Sequence, residues 1–435
     1  MEKIIIEGGR RLHGRVAING AKNAALPIMA ACILAHGPSR IKGIPDIADV
    51  RVMMDLLRCL GMTVERLKDG SMGLEVTRPG ETVAPYEFVE KMRASLCALG
   101  PLLGRWGRAE VARPGGCVIG DRPIDLHIKG LQSLGATITQ DRGNIIAEGS
   151  DLYGTEIHLA GSFGPTVLGT ANVMMAACLA KGTTVIKSAA CEPEIQDLAN
   201  FLNLAGAKVS GIGTSCLTIE GVEGLCGIDY KIIPDRIEAG TFMVASAITK
   251  GNILIENARM EHLEAVTEKL REIGVTVTEE DRGCRVKGTG DLTAACTSAL
   301  PYPGFPTDMQ PQFTSLLSIA QGTSVITEKV FPERIAHVAE LNRMGASITK
   351  EGNNIIVQGV DHLSGAEVKA ADLRAGASLV IAGLAAKGTT EVRGLQHLDR
   401  GYERLEERLA QLGAKIKRVV DQPLLHITRP VAIAS

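Results

Sequence analysis

The sequence predicts an α/β protein of six repeated units of about seventy residues, gathered into two three-unit domains with helices buried and sheets outside. Three observations predict it. An apolar helix end, a glycine and a β-type run recur at Gly61, Gly135, Gly206, Gly274, Gly345 and Gly413, at spacings of 74, 71, 68, 71 and 68. A second glycine stands 23 to 28 residues ahead of each, at Gly37, Gly107, Gly182, Gly251, Gly322 and Gly388. Apolar helical runs such as Val173 to Ala180 and Leu379 to Ala386 need burial on most sides. Six copies at a nearly fixed period mark a repeat architecture.

Each glycine is expected to close a helix in the left-handed conformation, which costs little without a Cβ. Each unit then reads helix, strand, helix, strand, strand. The first domain is expected over residues 22–231, and the second over 1–21 plus 232–435. The seam falls near Tyr230-Lys231-Ile232-Ile233, with no Gly/Ser-rich linker to mark it. The run Lys3 to Glu7 completes the last unit, which makes two chain crossings. Two crossings allow a hinge, and the cleft between domains is the expected ligand site.

Composition narrows the function. Net charge is −2, hydrophobic residues make up 45% and charged residues 22%, with no basic run. Aromatics are 3%, too few for a base-stacking platform, so nucleic-acid binding is disfavoured. Met1 to Glu7 has no basic start and no long apolar core, so no secretory leader is expected, and no apolar run reaches membrane-spanning length. The ten cysteines are scattered without a C-x-x-C pair, which fits a reducing cytoplasm better than a disulfide framework or a zinc site.

The densest chemistry lies in Arg113 to His127 (RPGGCVIGDRPIDLH). Pro114, Gly115 and Gly116 read as a loop, and Pro123 suits a first helical position with Asp121 or Arg122 near the cap. A cysteine ahead of a helix N-terminus and beside two arginines, as Cys117 is, has a lowered pKa and is reactive; the alternative is an inert loop thiol. Lys22 and Asn23 stand just before a small-residue helix and suit a phosphate or carboxylate. Arg93 falls in the first turns of a helix, the unfavourable end for a cation unless an anion binds or solvent covers it. Asp308 sits at a strand-to-helix junction as either a cap or a positioned base. Arg334, Asp372, Arg374, Asp399 and Arg400 are similar junction residues in the second half. Cations and carboxylates offered by two lobes suit a polyanionic substrate.

The stretches GAKNAALP (20–27), MRASLCALGPLL (92–103), PGGCVIGDRPIDLHIKGLQSLGA (114–136), EPEIQDLANFL (192–202), IIPDRIEAGTF (232–242), FPTDMQPQF (305–313), HVAELNRMGA (337–346), ADLRAGASL (371–379) and HLDRGYERLEERL (397–409) run end to end in order. Together they resemble the UDP-N-acetylglucosamine enolpyruvyl transferase family. The resemblance implies two inside-out, barrel-like α/β domains of three units each, with the active site between them. It implies transfer of the enolpyruvyl group of phosphoenolpyruvate to the 3-hydroxyl of UDP-N-acetylglucosamine, with release of phosphate, in peptidoglycan synthesis in the cytoplasm. Its two substrates are small molecules; neither nucleic acid nor membrane insertion is involved, and neither cofactor nor metal is implied.

By the same resemblance, Lys22 and Asn23 hold phosphoenolpyruvate, and Cys117 protonates its methylene carbon, can form a covalent adduct with it and is alkylated by fosfomycin. Arg93, Arg122 and Arg400 clamp phosphate and carboxylate, and Asp308 orients or deprotonates the sugar hydroxyl. Asp372 and Arg374 support closure of the second lobe. Arg122, Pro123, Ile124, Asp125 and Leu126 border the uridine, Thr166 and Val167 follow at the nucleotide, and Val330 and Arg334 lie at the cleft edge. Two positions depart from the family pattern. Gly164 to Thr170 replaces a Ser-Val-Gly-Ala-Thr run, with Leu168 at a glycine position, and Asp121 replaces a small neutral residue. A shikimate 3-phosphate acceptor and a non-catalytic UDP-sugar-binding homologue are the rival readings.

Overall fold

The computed structural model describes residues 2–113, 119–120 and 123–420. Six four-stranded sheets correspond to the six units. Five of the six glycines that open the strand after a unit's buried helix have φ between 68° and 103°; Gly251 does not, because Lys250 takes the left-handed turn with φ 53°. Gly251 is required for space instead, since a Cβ there would stand 2.5 Å from the Leu12 carbonyl oxygen.

Each sheet holds one strand the glycine pattern does not show. In the third unit, Glu156–His158 pairs in parallel with Thr183–Lys187, which pairs antiparallel with Cys216–Glu220, followed by Lys208–Ser210. The buried helix Val167–Ala177 joins the parallel pair. The second, third and fifth units therefore read strand, helix, strand, helix, strand, strand; the first and fourth borrow their parallel strands, Asp229–Lys231 and His13–Ala17, from the ends of the two crossings, and the last borrows Glu2–Glu7. The extra strands are short, down to Val83–Ala84, too short to show alternation. The N-terminal strand Glu2–Glu7, with Ile4 and Ile6 fully buried, lies between Thr389–Arg393 and Lys415–Val420 and completes the last sheet.

Two hydrophobic cores form. One runs from Ala21 to Ile233, the other from Ile4 to Ile18 and from Ile237 to Ala414. The chain passes between them twice, and the two crossings lie side by side. The Ala21 N–H donates to the Ile233 carbonyl at 2.8 Å, and the Asp235 N–H to the Asn19 carbonyl at 2.8 Å. Asp235 fastens the crossing further. Its Oδ1 caps the helix Arg236–Ile248 by accepting from the N–H groups of Ile237 and Glu238, and its Oδ2 accepts from the Lys22 N–H at 3.1 Å.

The lobes also meet away from the crossings. Glu194 of the first holds Arg236 of the second at 3.0 Å, both nearly buried. A Cβ on Gly120 would stand 3.0 Å from the Glu333 side chain, and one on Gly164 would stand 3.1 Å from Pro301. Among the described residues no helix is long and apolar enough to cross a membrane.

Candidate active site

Helix starts from both lobes converge in the cleft. Lys22 is the first residue of the helix Lys22–Ala31, rather than just ahead of it, and its side chain is almost buried. A cation at the positive end of a helix dipole is unfavourable unless an anion meets it. Asp49, in the first turn of Ala48–Cys59, is that anion: Lys22 Nζ reaches its Oδ2 at 3.1 Å, and Arg400 Nε from the other lobe reaches its Oδ1 at 2.9 Å. Burial pushes the Lys22 ammonium below its ordinary pKa; Asp49 opposes that, while Arg374 and Arg400 push the same way. The Asp49 carboxyl, which burial alone would raise, ends below its usual range because Lys22 and Arg400 flank it.

A second group forms around Asp308, in the short 3₁₀ turn Thr307–Met309. Arg374 Nη2 reaches Asp308 Oδ2 at 2.8 Å, and Arg334 Nη1 reaches Oδ1 at 2.8 Å. Burial pushes Asp308 up, but Arg374, then Arg334, then Lys22 hold it well below the usual carboxylate range. Asp308 is thus a positioned anion, not a cap. The cap is Asp372, whose Oδ1 accepts from the N–H groups of Arg374 and Ala375 at the start of Leu373–Ala385. It fixes the backbone from which Arg374 projects.

Buried Tyr402 supports Arg374 from behind. Its hydroxyl accepts from Arg374 Nη1 at 3.1 Å and lies 2.8 Å from Thr241 Oγ1. Glu328, also buried, accepts from the Thr307 hydroxyl at 2.8 Å and from the N–H groups of Val330 and Phe331, tying the Val330–Arg334 turn to the Asp308 turn.

The other expected residues of the first lobe also stand at helix starts. Arg93 opens the 3₁₀ helix Arg93–Ala98 and is half-buried. Asn23 is exposed beside Lys22. The helix expected from Pro123 begins at Asp125, with Ile124 at the cap position. Pro123 and Asp125 are exposed and Ile124 is buried. Leu126 packs against the Ala160–Pro165 turn, where a Cβ on Gly161 would stand 3.4 Å from Leu126 Cδ1. That turn delivers Thr166, whose hydroxyl caps Val167–Ala177 by accepting from the Gly169 N–H at 3.2 Å. Thr166, Val167 and Leu168 are half-buried there. Cys117, Arg122 and Asp121 lie outside the described residues. The nine other cysteines are free thiols, and burial pushes Cys32, Cys97, Cys178 and Cys284 up to about 12, which makes them inert.

Asp49, Tyr402, Glu328 and the Glu194–Arg236 pair were not singled out from the sequence. Two of the four, Tyr402 and the Glu194–Arg236 pair, lie inside the stretches that carry the resemblance; Asp49 and Glu328 do not. An acidic residue in a first helical turn, as Asp49 is, reads from sequence as an ordinary dipole partner.

The sequence matches the EPSP synthase (3-phosphoshikimate 1-carboxyvinyltransferase) family over residues 6–409. It is 53% identical to the UDP-N-acetylglucosamine 1-carboxyvinyltransferase of Methylacidiphilum infernorum, covering 96% of this chain and 99% of that one. It is 50% identical to the same-named protein of Myxococcus xanthus, again over 96% and 99%. Among solved structures, the enolpyruvyl transferase NikO from Streptomyces tendae superposes with a TM-score of 0.86 at 24% identity, covering 97% and 99% of the two chains. EPSP synthase from Acinetobacter baumannii superposes with a TM-score of 0.75 at 19% identity, covering 97% and 100%. The two structures share the fold, and the relatives share about half of the sequence over nearly the full length. The chain belongs to the EPSP synthase family of enolpyruvyl transferases, among its UDP-N-acetylglucosamine 1-carboxyvinyltransferases.

Proposed function

We infer that the chain works as its full-length relatives are named. It transfers the enolpyruvyl group of phosphoenolpyruvate to the 3-hydroxyl of UDP-N-acetylglucosamine and releases phosphate, the first committed step of peptidoglycan synthesis. The observation that supports this most is the meeting of four cations, Lys22, Arg334, Arg374 and Arg400, on two carboxylates, Asp49 and Asp308, in one cleft. The surplus of positive charge suits a substrate with a phosphate and a carboxylate. A shikimate 3-phosphate acceptor is not favoured: relatives near 50% identity over the full length carry the nucleotide-sugar name, whereas the solved EPSP synthase is 19% identical.

The proposed roles follow the sequence resemblance, and the contacts among Lys22, Asp308, Arg334, Arg374 and Arg400 support theirs. Lys22, Asn23, Arg122 and Arg400 hold phosphoenolpyruvate, and Arg93 adds charge at the rim. Cys117 gives a proton to the methylene carbon, the 3-hydroxyl oxygen adds to the neighbouring carbon as its proton passes to the phosphate group, and departure of that phosphate with return of a methyl proton to the Cys117 thiolate restores the double bond. A carboxylate with a strongly lowered pKa is a weak base. Asp308 therefore acts chiefly by orienting the sugar hydroxyl and accepting its hydrogen bond as the C–O bond forms. Arg334, Arg374 and Asp372 hold Asp308 for that task. Pro123 to Leu126 and Thr166 to Val167, brought together across Gly161, form one wall for the nucleotide, and Val330 faces it from the other lobe. The two domains of this reading are residues 22–231 and 1–21 plus 232–435. We place the protein in the cytoplasm, where free thiols persist and nucleotide sugars are available.

The test is phosphate release from phosphoenolpyruvate with UDP-N-acetylglucosamine and, in parallel, with shikimate 3-phosphate. Release with the nucleotide sugar alone is expected. Release with shikimate 3-phosphate alone, or with neither, overturns the reading.

A further inference from the structure

Asp49 lies between the two cations that the functional reading gives to phosphoenolpyruvate, and each belongs to a different lobe. Its side chain is 4% exposed, and both oxygens are used: Oδ2 on Lys22 at 3.1 Å and Oδ1 on Arg400 at 2.9 Å. We propose that Asp49 is a positioning residue for the acidic substrate, gathering Lys22 and Arg400 into one cation pair before phosphoenolpyruvate arrives. The proposal rests on that functional reading.

Three features favour positioning over simple structural support. The lobes are already joined at this point by bonds that do not involve the Asp49 side chain. The Ala48 N–H donates to the Asp399 carbonyl at 2.9 Å, and the Asp46 N–H to Glu403 Oε2 at 2.9 Å. A buried ion pair is also a poor device for stability alone, because apolar residues of similar volume often do as well or better. Finally, Arg400 engages Asp49 side-on, through Nε at 2.9 Å and Nη2 at 3.5 Å, while its side chain stays 36% exposed. A guanidinium held by its Nε edge can still offer its terminal edge to a second anion.

The electrostatics set a sign. The groups acting on the Lys22 ammonium are Asp49, Asp308, Arg374 and Arg400, and its own backbone N–H is held by Asp235. Only the two aspartates favour its charged form, and Asp49 is the nearer. Without Asp49, burial and two guanidiniums would act against a cation at a helix N-terminus. Lys22 would lose its proton at lower pH, and Arg400 would lose the anchor that brings it to the cleft.

The experiment compares wild type, the nearly isosteric Asp49→Asn, and Asp49→Glu, which keeps the charge. In ligand-free protein, acetylation of Lys22 by acetic anhydride is followed against pH, with the Lys22 peptide read by mass spectrometry. In turnover, KM for phosphoenolpyruvate and for UDP-N-acetylglucosamine is measured. Asp49→Asn is expected to lower the Lys22 labelling midpoint by about one unit or more. It should raise KM for phosphoenolpyruvate roughly tenfold or more while that for the nucleotide sugar changes less than about twofold, an asymmetry that general loosening would not give. Asp49→Glu should keep the wild-type labelling midpoint. An unchanged midpoint in Asp49→Asn, a Glu variant that labels like the Asn variant, or a parallel rise in both KM values overturns the proposal. Absence of wild-type turnover overturns the reaction instead, and the labelling comparison still decides the link between Asp49 and Lys22.

Discussion

Arg374 and Asp308 meet at 2.8 Å, and the arginine that holds the carboxylate is itself held by the Tyr402 hydroxyl at 3.1 Å. This relationship makes a pH prediction. Burial pushes Asp308 up, but Arg374 and Arg334 bring it well below its ordinary value in the folded protein. In the unfolded chain it titrates near about 3.9. Above that pH both states are ionised and the stabilisation is fully present. Below it the unfolded state binds the proton first, so the contribution is lost as pH falls towards the folded pKa. Asp308→Asn leaves two buried guanidiniums short of an anion and should cost about 3 kcal/mol at pH 7. The gap between wild type and variant should narrow below about pH 4, and urea unfolding across pH 3 to 7 reads it. A gap of constant size would mean that Asp308 titrates normally. Turnover of the variant should fall at least about a hundredfold.

Cys117→Ala should abolish measurable turnover and leave binding of UDP-N-acetylglucosamine within about twofold, because an acid for the carbon is lost and no anion-binding group is. Intact mass should show one fosfomycin adduct on wild type with nucleotide sugar present and none on the variant. Near-normal turnover by Cys117→Ala would remove the thiol from the proposed mechanism.

The repeat was legible because its glycines perform a backbone task that a side chain hinders. Gly61 and Gly413, with φ of 83° and 98°, show that task at both ends of the chain. Lys250 shows the limit: a residue with a Cβ can take the same turn, and pattern alone cannot tell which of Lys250 and Gly251 does. Strands such as Val83–Ala84 escaped because two residues carry no period. The start of the helix at Asp125 was placed two residues early because Pro123 suits a first helical position, yet Ile124 is buried at the cap position instead. In the site, Lys22, Asp308, Arg334, Arg374 and Arg400 were legible as charges at helix starts or turns. The partner that joins Lys22 to Arg400 was not. Nothing local marks Asp49 as the anion shared by residues 27 and 351 positions away, because that pairing is made by the fold.

Glu194 and Arg236 form a bidentate pair across the lobes, with Nε–Oε1 at 3.0 Å and Nη2–Oε2 at 3.2 Å and side chains 4% and 10% exposed. Removing one partner strands the other. Glu194→Leu alone and Arg236→Leu alone should each cost about 3 kcal/mol, and the double variant should cost clearly less than their sum. A double-mutant cycle by urea unfolding measures the coupling. A coupling below about 0.5 kcal/mol would mean that the pair does not work as a unit.

Asp235 tests the crossing itself, and the informative substitution is the smallest one. Its Oδ1 accepts from the N–H groups of Ile237 and Glu238, and its Oδ2 accepts from that of Lys22 in the other lobe. In Asp235→Asn the remaining oxygen can still cap the helix, since asparagine is as good a cap as aspartate. The amide nitrogen must then face the Lys22 N–H, and two donors cannot bond. The alternative flip restores the bond to Lys22 and exposes the helix N-terminus to the same conflict. Either way a buried N–H loses its acceptor, at about 1–3 kcal/mol. Asp235→Ser, which can cap but cannot reach across, should cost a similar amount. If the Lys22 contact is what matters, both variants should also make the amide of Lys22 exchange faster with solvent deuterium, while amides deep in Arg236–Ile248 keep their protection. Faster exchange along that whole helix, with Lys22 unchanged, would show that Asp235 serves only as a cap and that the crossing is held by its backbone bonds.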